Sequence, residues 1–308
     1  MPRVITSLTL MICTYRRPQF FARCLASVAS LTVPDGFRLT VAVADNNPAS
    51  ERDGYVGAAL GGLSVPHVYG HQPEPGYSNA RNLALDLALG TASEIFAFVD
   101  DDLVLAPDWL TGQIETYRSF DCDAVGGAVI GTQKVPPHGS WQRNSSMANF
   151  SFDRELVEAN GLGLRFDPAK NLTGNEDLAF SQAATASGRR IVISAWPSVS
   201  DPSSAEAARA DDLVNRAEVA IAMTRNRIVT LRKTGNLPGV ALAAVGSVHH
   251  VLKAGGLSAQ AALLLGLGNT AQARAKAISS WKEFGKFQAT LAGLTGDVVP
   301  RQDVRRGK

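Results

Sequence analysis

The stretch Glu94–Leu105, "EIFAFVDDDLVL", decides the fold. Every position from Ile95 to Val99 is apolar, which on a strand means burial on both faces, as at the centre of a sheet covered by helices on each side. Three carboxylates, Asp100, Asp101 and Asp102, then follow directly on that run. Adjacent like charges repel, so grouping them gains nothing for folding unless positive charge lies among them. In an extended segment alternate residues share a face, so Asp100 and Asp102 are expected to point together and Asp101 away. Two carboxylates converging at a strand end make a hard-oxygen site for Mg2+ or Mn2+, with positions left for phosphate oxygens. An acidic run after a strand also serves as a helix cap or a solvated turn, and the run by itself does not separate these readings.

Working outward, the chain alternates strands and helices. "SLTLMIC" (Ser7–Cys13) and "RLTVAVAD" (Arg38–Asp45) read as strands, and "PQFFARCLASVASL" (Pro18–Leu31) has helical apolar spacing. "SNARNLALDLAL" (Ser78–Leu89) reads as a helix opened by Ser78 or Asn79 as cap. Such alternation implies an α/β architecture, a mostly parallel sheet flanked by helices, with ligands bound beyond the carboxyl ends of the strands. Polar residues gather at those ends: Thr14, Tyr15 and Arg16; Asp45, Asn46 and Asn47; and Asp100 to Asp102.

Composition limits the rest. The 308 residues suit one large domain or slightly more, and a formal net charge of +2 does not suggest nucleic acid as partner. Charge is uneven, mildly acidic before about residue 200 and basic after it. Cys13, Cys24 and Cys122 form no C-x-x-C pair and leave an odd one out, so neither a disulfide framework nor a structural zinc site is suggested, and a reducing cytosol fits best. "MPRVITSLTLMIC" reads as a buried strand rather than a signal peptide, because "TYRRP" follows and no small-residue cleavage site does. No run of 18 apolar residues argues for an ordinary spanning helix.

Five motifs then stand in order: "CTYRRP", "VADNNP", "PGYSNARNLAL", "FVDDDLVLAPDWL" and "GNEDLAF". In order and spacing they resemble the family 2 glycosyltransferases over roughly residues 5 to 232. Within that family the chain is most similar to bacterial exopolysaccharide enzymes of the succinoglycan glucosyltransferase type, to which "SVSDPSSAEAARADDLVNR" also points. The resemblance implies a Rossmann-like GT-A fold that binds a nucleoside diphosphate sugar through Mn2+ or Mg2+ and transfers the sugar with inversion. It places Thr14, Tyr15, Asp45 and Arg81 around the nucleotide, with Asp45 bonding the base. Asp100 is expected on the ribose or the metal, Asp101 beside the cofactor, and Asp102 on the metal directly. Trp109 reads as core at a helix start, with the sugar pocket as its other reading.

Glu176 and Asp177 sit where a loop enters a helix, which by itself is an ordinary acidic first turn favoured by the helix dipole. The resemblance makes them the E-D motif, with Asp177 the general base and Glu176 supporting it or orienting the acceptor. Many relatives carry a His after the next strand as a metal or phosphate ligand; here Asp201 stands there, so that role falls to Asp201, to water or to nothing, and Arg209 follows as a candidate diphosphate contact or a solvated helix Arg. His67, His71, His138, His249 and His250 read as partly buried or interfacial residues rather than metal ligands.

The composition changes beyond Lys233, where two short apolar segments precede a basic stretch with interleaved aromatics. The expected organisation is a GT-A domain over 1–232 and a helical C-terminal extension over 233–308. That extension reads as a peripheral membrane attachment or as a subdomain packing on the core or a second subunit. Together these readings imply an inverting, metal-dependent glycosyltransferase on the cytoplasmic, inner face of the cell membrane. Its donor would be a UDP-sugar and its acceptor a lipid-linked oligosaccharide. Sugar nucleotidyltransferases are the other enzyme class considered, but "CTYRRP" lacks their Gly-rich phosphate loop; a non-catalytic nucleotide-sugar-binding scaffold is the non-enzyme alternative.

Overall fold

A computed structural model describes residues 3–51, 54–130, 136–171 and 174–200, helical pieces at 253–260 and 276–284, and residues 228, 272, 286 and 288. The chain divides into two compact units, Met1–Asn171 with Asn175–Ala205, and Leu172–Gly174 with Glu206–Lys308.

In the first unit the chain runs β1 (Ser7–Thr14), α1 (Pro18–Ala29), β2 (Arg38–Asp45), α2 (Tyr55–Gly61), β3 (His67–His71), α3 (Tyr77–Leu89) and β4 (Ile95–Val99). It continues through β5 (Val104–Leu105), α4 (Trp109–Ser119), β6 (Ala124–Ile130), β7 (Trp141–Gln142), β8 (Asn149–Asp153), α5 (Glu176–Ala186) and β9 (Ile191–Ser200). One sheet has the order β3-β2-β1-β4-β8-β6-β9-β5, with β7 on β9. The expected α/β, Rossmann-like arrangement is present: β3, β2, β1 and β4 are mutually parallel. Beyond β4 the sheet is mixed, because β8 runs antiparallel to both β4 and β6.

Period-two alternation sorts the strand residues onto two cores. Leu8, Leu10 and Ile12 of β1, Val41 and Val43 of β2, and Ile95, Ala97 and Val99 of β4 join one cluster with Phe21, Leu25 and Val28 of α1 and Trp109, Leu110 and Ile114 of α4. Met11, Ala42, Ala44, Phe96 and Phe98 face the other, with Ala84, Leu85 and Ala88 of α3 and Phe180 and Ala184 of α5. Pro18 opens α1, where its fixed φ fits the first turn and its missing N–H costs nothing. Trp109 is fully buried and donates from Nε1 to Asn149 Oδ1 at 3.0 Å, so it belongs to the core and not to a sugar pocket.

The cap of α3 differs from the sequence expectation. Its N-cap is Gly76, and Ser78 is already helical, donating its hydroxyl to the Asp167 carbonyl at 2.7 Å. The Asn79 N–H instead donates to Asn171 Oδ1 at 2.9 Å, so a distant side chain satisfies one of the helix's orphan donors. Gly76 has φ 154, and a Cβ there would fall 2.0 Å from the Asn171 side chain, so the crossing requires glycine.

In the second unit, the two helical pieces are joined by a Ser258–Ser280 hydroxyl contact of 2.6 Å and by Lys253 on Glu283 at 3.3 Å. Among the described residues no helix is long and apolar enough to cross a membrane.

Candidate active site

The carboxyl ends of β1, β2 and β4 lie side by side, with Thr14 opposite Asp45 in register. Directly after β4 the chain turns: the Leu103 N–H donates to the Asp100 carbonyl at 3.2 Å. That turn brings Asp101, expected to point away, onto the same partner as Asp102. Nη1 of Arg17 donates to Asp101 Oδ1 at 3.0 Å and to Asp102 Oδ2 at 2.7 Å. Asp101, 4 % exposed, also accepts the Thr14 hydroxyl at 2.7 Å. Burial pushes its carboxyl up to about 6, with Arg17 acting in the opposite direction. The positive charge required among these carboxylates is therefore supplied, in this structure, by guanidinium.

Arg16, which precedes the clamp, has φ 53, a left-handed conformation uncommon for a residue with a side chain. Its N–H donates to Asn47 Oδ1 at 2.7 Å. The Arg17 N–H donates to the Tyr55 hydroxyl at 3.2 Å, and that hydroxyl also lies 2.9 Å from Thr14 Oγ1. The β1–α1 loop is thus pinned from β2 and α2 so that Arg17 enters the Asp turn. Tyr15 stacks near the Arg16 guanidinium, 5.6 Å from carbon to ring centroid.

A second guanidinium, Arg81 on α3, ties the two acidic motifs together. Its Nη1 pairs with Glu176 Oε1, and its Nη2 lies 3.9 Å from Asp100 Oδ1. Arg81 also sits over the Phe166 ring at 5.5 Å, and Phe166 stacks on Phe180 at 4.7 Å. Phe180 is one helical turn beyond Glu176, so the aromatic stack fixes the start of α5 beneath Arg81. Glu176 is 4 % exposed, and among the described residues its Oε2 has no hydrogen-bond partner. Asp177 Oδ1 accepts the Leu178 N–H at 2.7 Å. Loss of water, Asp102 and Asp177 push the Asp100 carboxyl up while Arg81 pulls it down; the 47 % exposure of its side chain tempers the rise. Burial pushes the nearby Cys13 thiol up to about 12, which keeps it protonated and unsuited as a nucleophile.

Asp45 is fully buried. Its Oδ1 accepts from the Asn47 N–H at 2.9 Å and the Asn47 amide at 2.7 Å, and its Oδ2 accepts the Tyr69 hydroxyl at 3.0 Å. Its hydrogen bonds here shape the loop after β2. Asn46 pins the next loop: its amide donates to the carbonyls of Gln72 and Glu74, and its Oδ1 accepts the Gly76 N–H. His71 Nε2 lies 2.8 Å from the Asn47 carbonyl, and His138 packs edge-on against Phe120. Arg17 thus gathers Asp101 and Asp102, with Thr14 on Asp101, and Arg81 joins Asp100 to Glu176, beside which Asp177 stands in sequence. Arg17 and Asn171, which received no role from the sequence, complete the frame with Asn46, which the sequence placed only at the end of β2. Asp201, Arg209, His249 and His250 lie outside the described residues.

Among the described residues no three His, Cys, Asp or Glu side chains form a metal-binding group. A hard dication that keeps its waters and a substrate phosphate needs only one or two carboxylates, and the partly exposed Asp100 and Asp102 fit that requirement.

A family model described as Glycosyl transferase family 2 matches residues 9–193. Succinoglycan biosynthesis protein ExoM of Rhizobium meliloti (strain 1021) is 31% identical over 215 residues, which is 64% of this chain and 67% of that protein. Glucosyl-dolichyl phosphate glucuronosyltransferase of Haloferax volcanii is 27% identical over 125 residues, 40% of this chain and 38% of the relative. Among solved structures, S. aureus TarS 1-349 in complex with UDP-GlcNAc superposes with a TM-score of 0.50 at 17% identity, covering 63% of this chain and 58% of that one. The chain therefore spans less than two thirds of the archaeal relative and of that TarS chain. At such identity the structural likeness carries the fold, the expected GT-A arrangement.

Proposed function

Because the chain belongs to glycosyl transferase family 2, we propose that it is an inverting glycosyltransferase that moves a sugar from a UDP-sugar to a lipid-linked acceptor of surface-glycan assembly. The observation that carries this reading is the Arg81 bridge, which sets the Asp turn at the end of β4 against the acidic first turn of α5. A transfer with inversion needs that opposition, with negative charge managed at the leaving group and a base facing the acceptor.

In this reading Asp100 and Asp102 would hold Mn2+ or Mg2+, which supplies positive charge beside the departing diphosphate. Asp177 takes the proton of the acceptor hydroxyl through Oδ2 while Oδ1 stays on the Leu178 N–H. The hydroxyl oxygen forms the new bond at the anomeric carbon as the bond to phosphate breaks on the opposite side. Glu176, fixed by Arg81, holds the first turn in place. Tyr15 and the loops shaped by Asp45 and Asn46 would receive the nucleotide, with Asp45 ordering the loop, and Asp101 would hold Thr14 and Arg17 from beneath. Asp201 and Arg209 remain proposed contacts to metal and diphosphate.

TarS, whose structures include complexes with UDP-GlcNAc and UDP, supports a UDP-linked donor; ExoM, named for succinoglycan biosynthesis, supports a glycan product. We place the C-terminal region, residues 233–308, against the inner face of the membrane. Supporting this, Trp281 is 45 % and Phe284 44 % exposed, on a helical piece that also carries Lys276 and Lys282. The test is UDP release from UDP-sugars with Mn2+, with and without lipid-linked acceptor. Acceptor-dependent release is expected; release that ignores acceptor, or none with any nucleotide sugar, would overturn the reading.

A further inference from the structure

We infer that Arg17 is a built-in counter-ion that competes with the divalent cation for Asp102, so that the free enzyme holds the metal weakly and binds metal and nucleotide together. The inference rests on the functional reading above and concerns how that site is controlled.

Two oxygens, one from Asp101 and one from Asp102, converge on the same nitrogen, Nη1 of Arg17, at 3.0 and 2.7 Å. Asp102 thus commits an oxygen to Arg17 that a metal would also engage, and in the absence of nucleotide a dication on Asp102 would lie within a few ångströms of the guanidinium. That like-charge proximity weakens the metal in a partly buried site. The placement is built rather than incidental. Arg16 is held in a left-handed conformation with its N–H on Asn47, and the Arg17 N–H is held by Tyr55. A strained residue kept in place by its surroundings marks a position that the fold over-determines. The Arg17 side chain is still 26% exposed and Asp102 30%, so the guanidinium can leave Asp102 without passing through the core. A diphosphate beside this turn offers it a partner with more charge than Asp102 and a geometry that matches the guanidinium fork. Nucleotide then draws Arg17 off Asp102 while metal takes the released oxygen. Each ligand strengthens the other, and by linkage the coupling is reciprocal. Asp101, buried and bonded to Thr14, is the fixed end that keeps Arg17 near.

The experiment measures Mn2+ affinity by calorimetry, with and without UDP, for the parent, Arg17→Gln and Arg17→Lys, each checked for folding by circular dichroism and thermal melting. In Arg17→Gln, Mn2+ without nucleotide should bind at least about tenfold more tightly than in the parent, while UDP binds about tenfold more weakly. The ratio of Mn2+ affinities with and without UDP should fall correspondingly. Arg17→Lys keeps the charge but loses the planar fork, and should lie between the two. A merely structural Arg17 would lower both affinities together. Unchanged or weaker Mn2+ binding by folded Arg17→Gln, in a parent that binds Mn2+ and UDP together, would overturn the counter-ion role while leaving the functional reading intact. A parent that binds neither would overturn both.

Discussion

Arg81→Met removes the guanidinium that, among the described residues, spans both acidic motifs, and keeps most of its aliphatic volume. Arg81 is 11 % exposed at the side chain and Glu176 5 %, so the substitution strands a buried carboxylate whose Oε2 already has no partner. Breaking a buried pair from one side costs about 3–5 kcal/mol, far more than the pair contributes as a unit, because the remaining charge is left desolvated. A minor further loss comes from the contact with Phe166, about 0.5–1 kcal/mol for such a cation over a ring. At about 2–4 °C per kcal/mol for a domain of this size, the melting temperature should fall by roughly 10 °C. Denaturant unfolding followed by circular dichroism gives the free energy, and Arg81→Met/Glu176→Gln closes the comparison. Removing the stranded charge should restore at least half of the loss. A single variant within about 0.5 kcal/mol of the parent, or a double variant as unstable as the sum of the singles, would refute the claim that this pair fixes the start of α5.

Asp177→Asn should leave UDP binding within a few-fold of the parent while transfer drops by about 100-fold to 10,000-fold, measured as turnover at saturating donor; transfer near the parent level would move the base elsewhere, with Glu176 the next to test. Far from the site, burial pushes Asp153 up to about 6 against the opposing pull of Arg3. Across the window from 3.8 to about 6 the folded state therefore holds a proton that the unfolded chain has released, so stability falls as pH rises through it, by up to about 3 kcal/mol. Asp153→Asn should flatten that part of the stability profile, and a profile unchanged by the substitution would show that Arg3 fully compensates the burial. Deleting residues 238–308 should abolish sedimentation with anionic liposomes yet keep UDP binding; loss of UDP binding, or an intact protein that ignores liposomes at low salt, would favour a packing subdomain.

The parts of the fold legible in the sequence are those with local periodicity. β1, β2, β4, α1 and α3 announce themselves through apolar spacing because each is buried on at least one continuous face. β3, "HVYGH", lies at the sheet edge and is only partly buried, so it carries no apolar run to read. The reversed strand β8 alternates Phe and Ser, yet its insertion between β4 and β6 depends on pairings fifty or more residues away in β4. The acidic residues of the site were legible because chemistry groups them in short motifs. Their partners were not: Arg17 meets Asp101 across 84 positions and Arg81 meets Glu176 across 95. Asp101 departs from the assumed alternation for a local reason, a turn that periodicity cannot register. Nor could a sequence reading place the cap of α3 on Asn171, which becomes its neighbour only after folding.

Asn171 touches the start of α3 three times, through its Oδ1 on the Asn79 N–H, its carbonyl on the Tyr77 N–H and its amide on the Pro75 carbonyl. The helix that carries Arg81 is therefore moored at its first turn by a single residue 92 positions further along the chain. Cutting that mooring, as Asn171→Ala would, loosens the seat of Arg81 from a place that is chemically remote from either reactant.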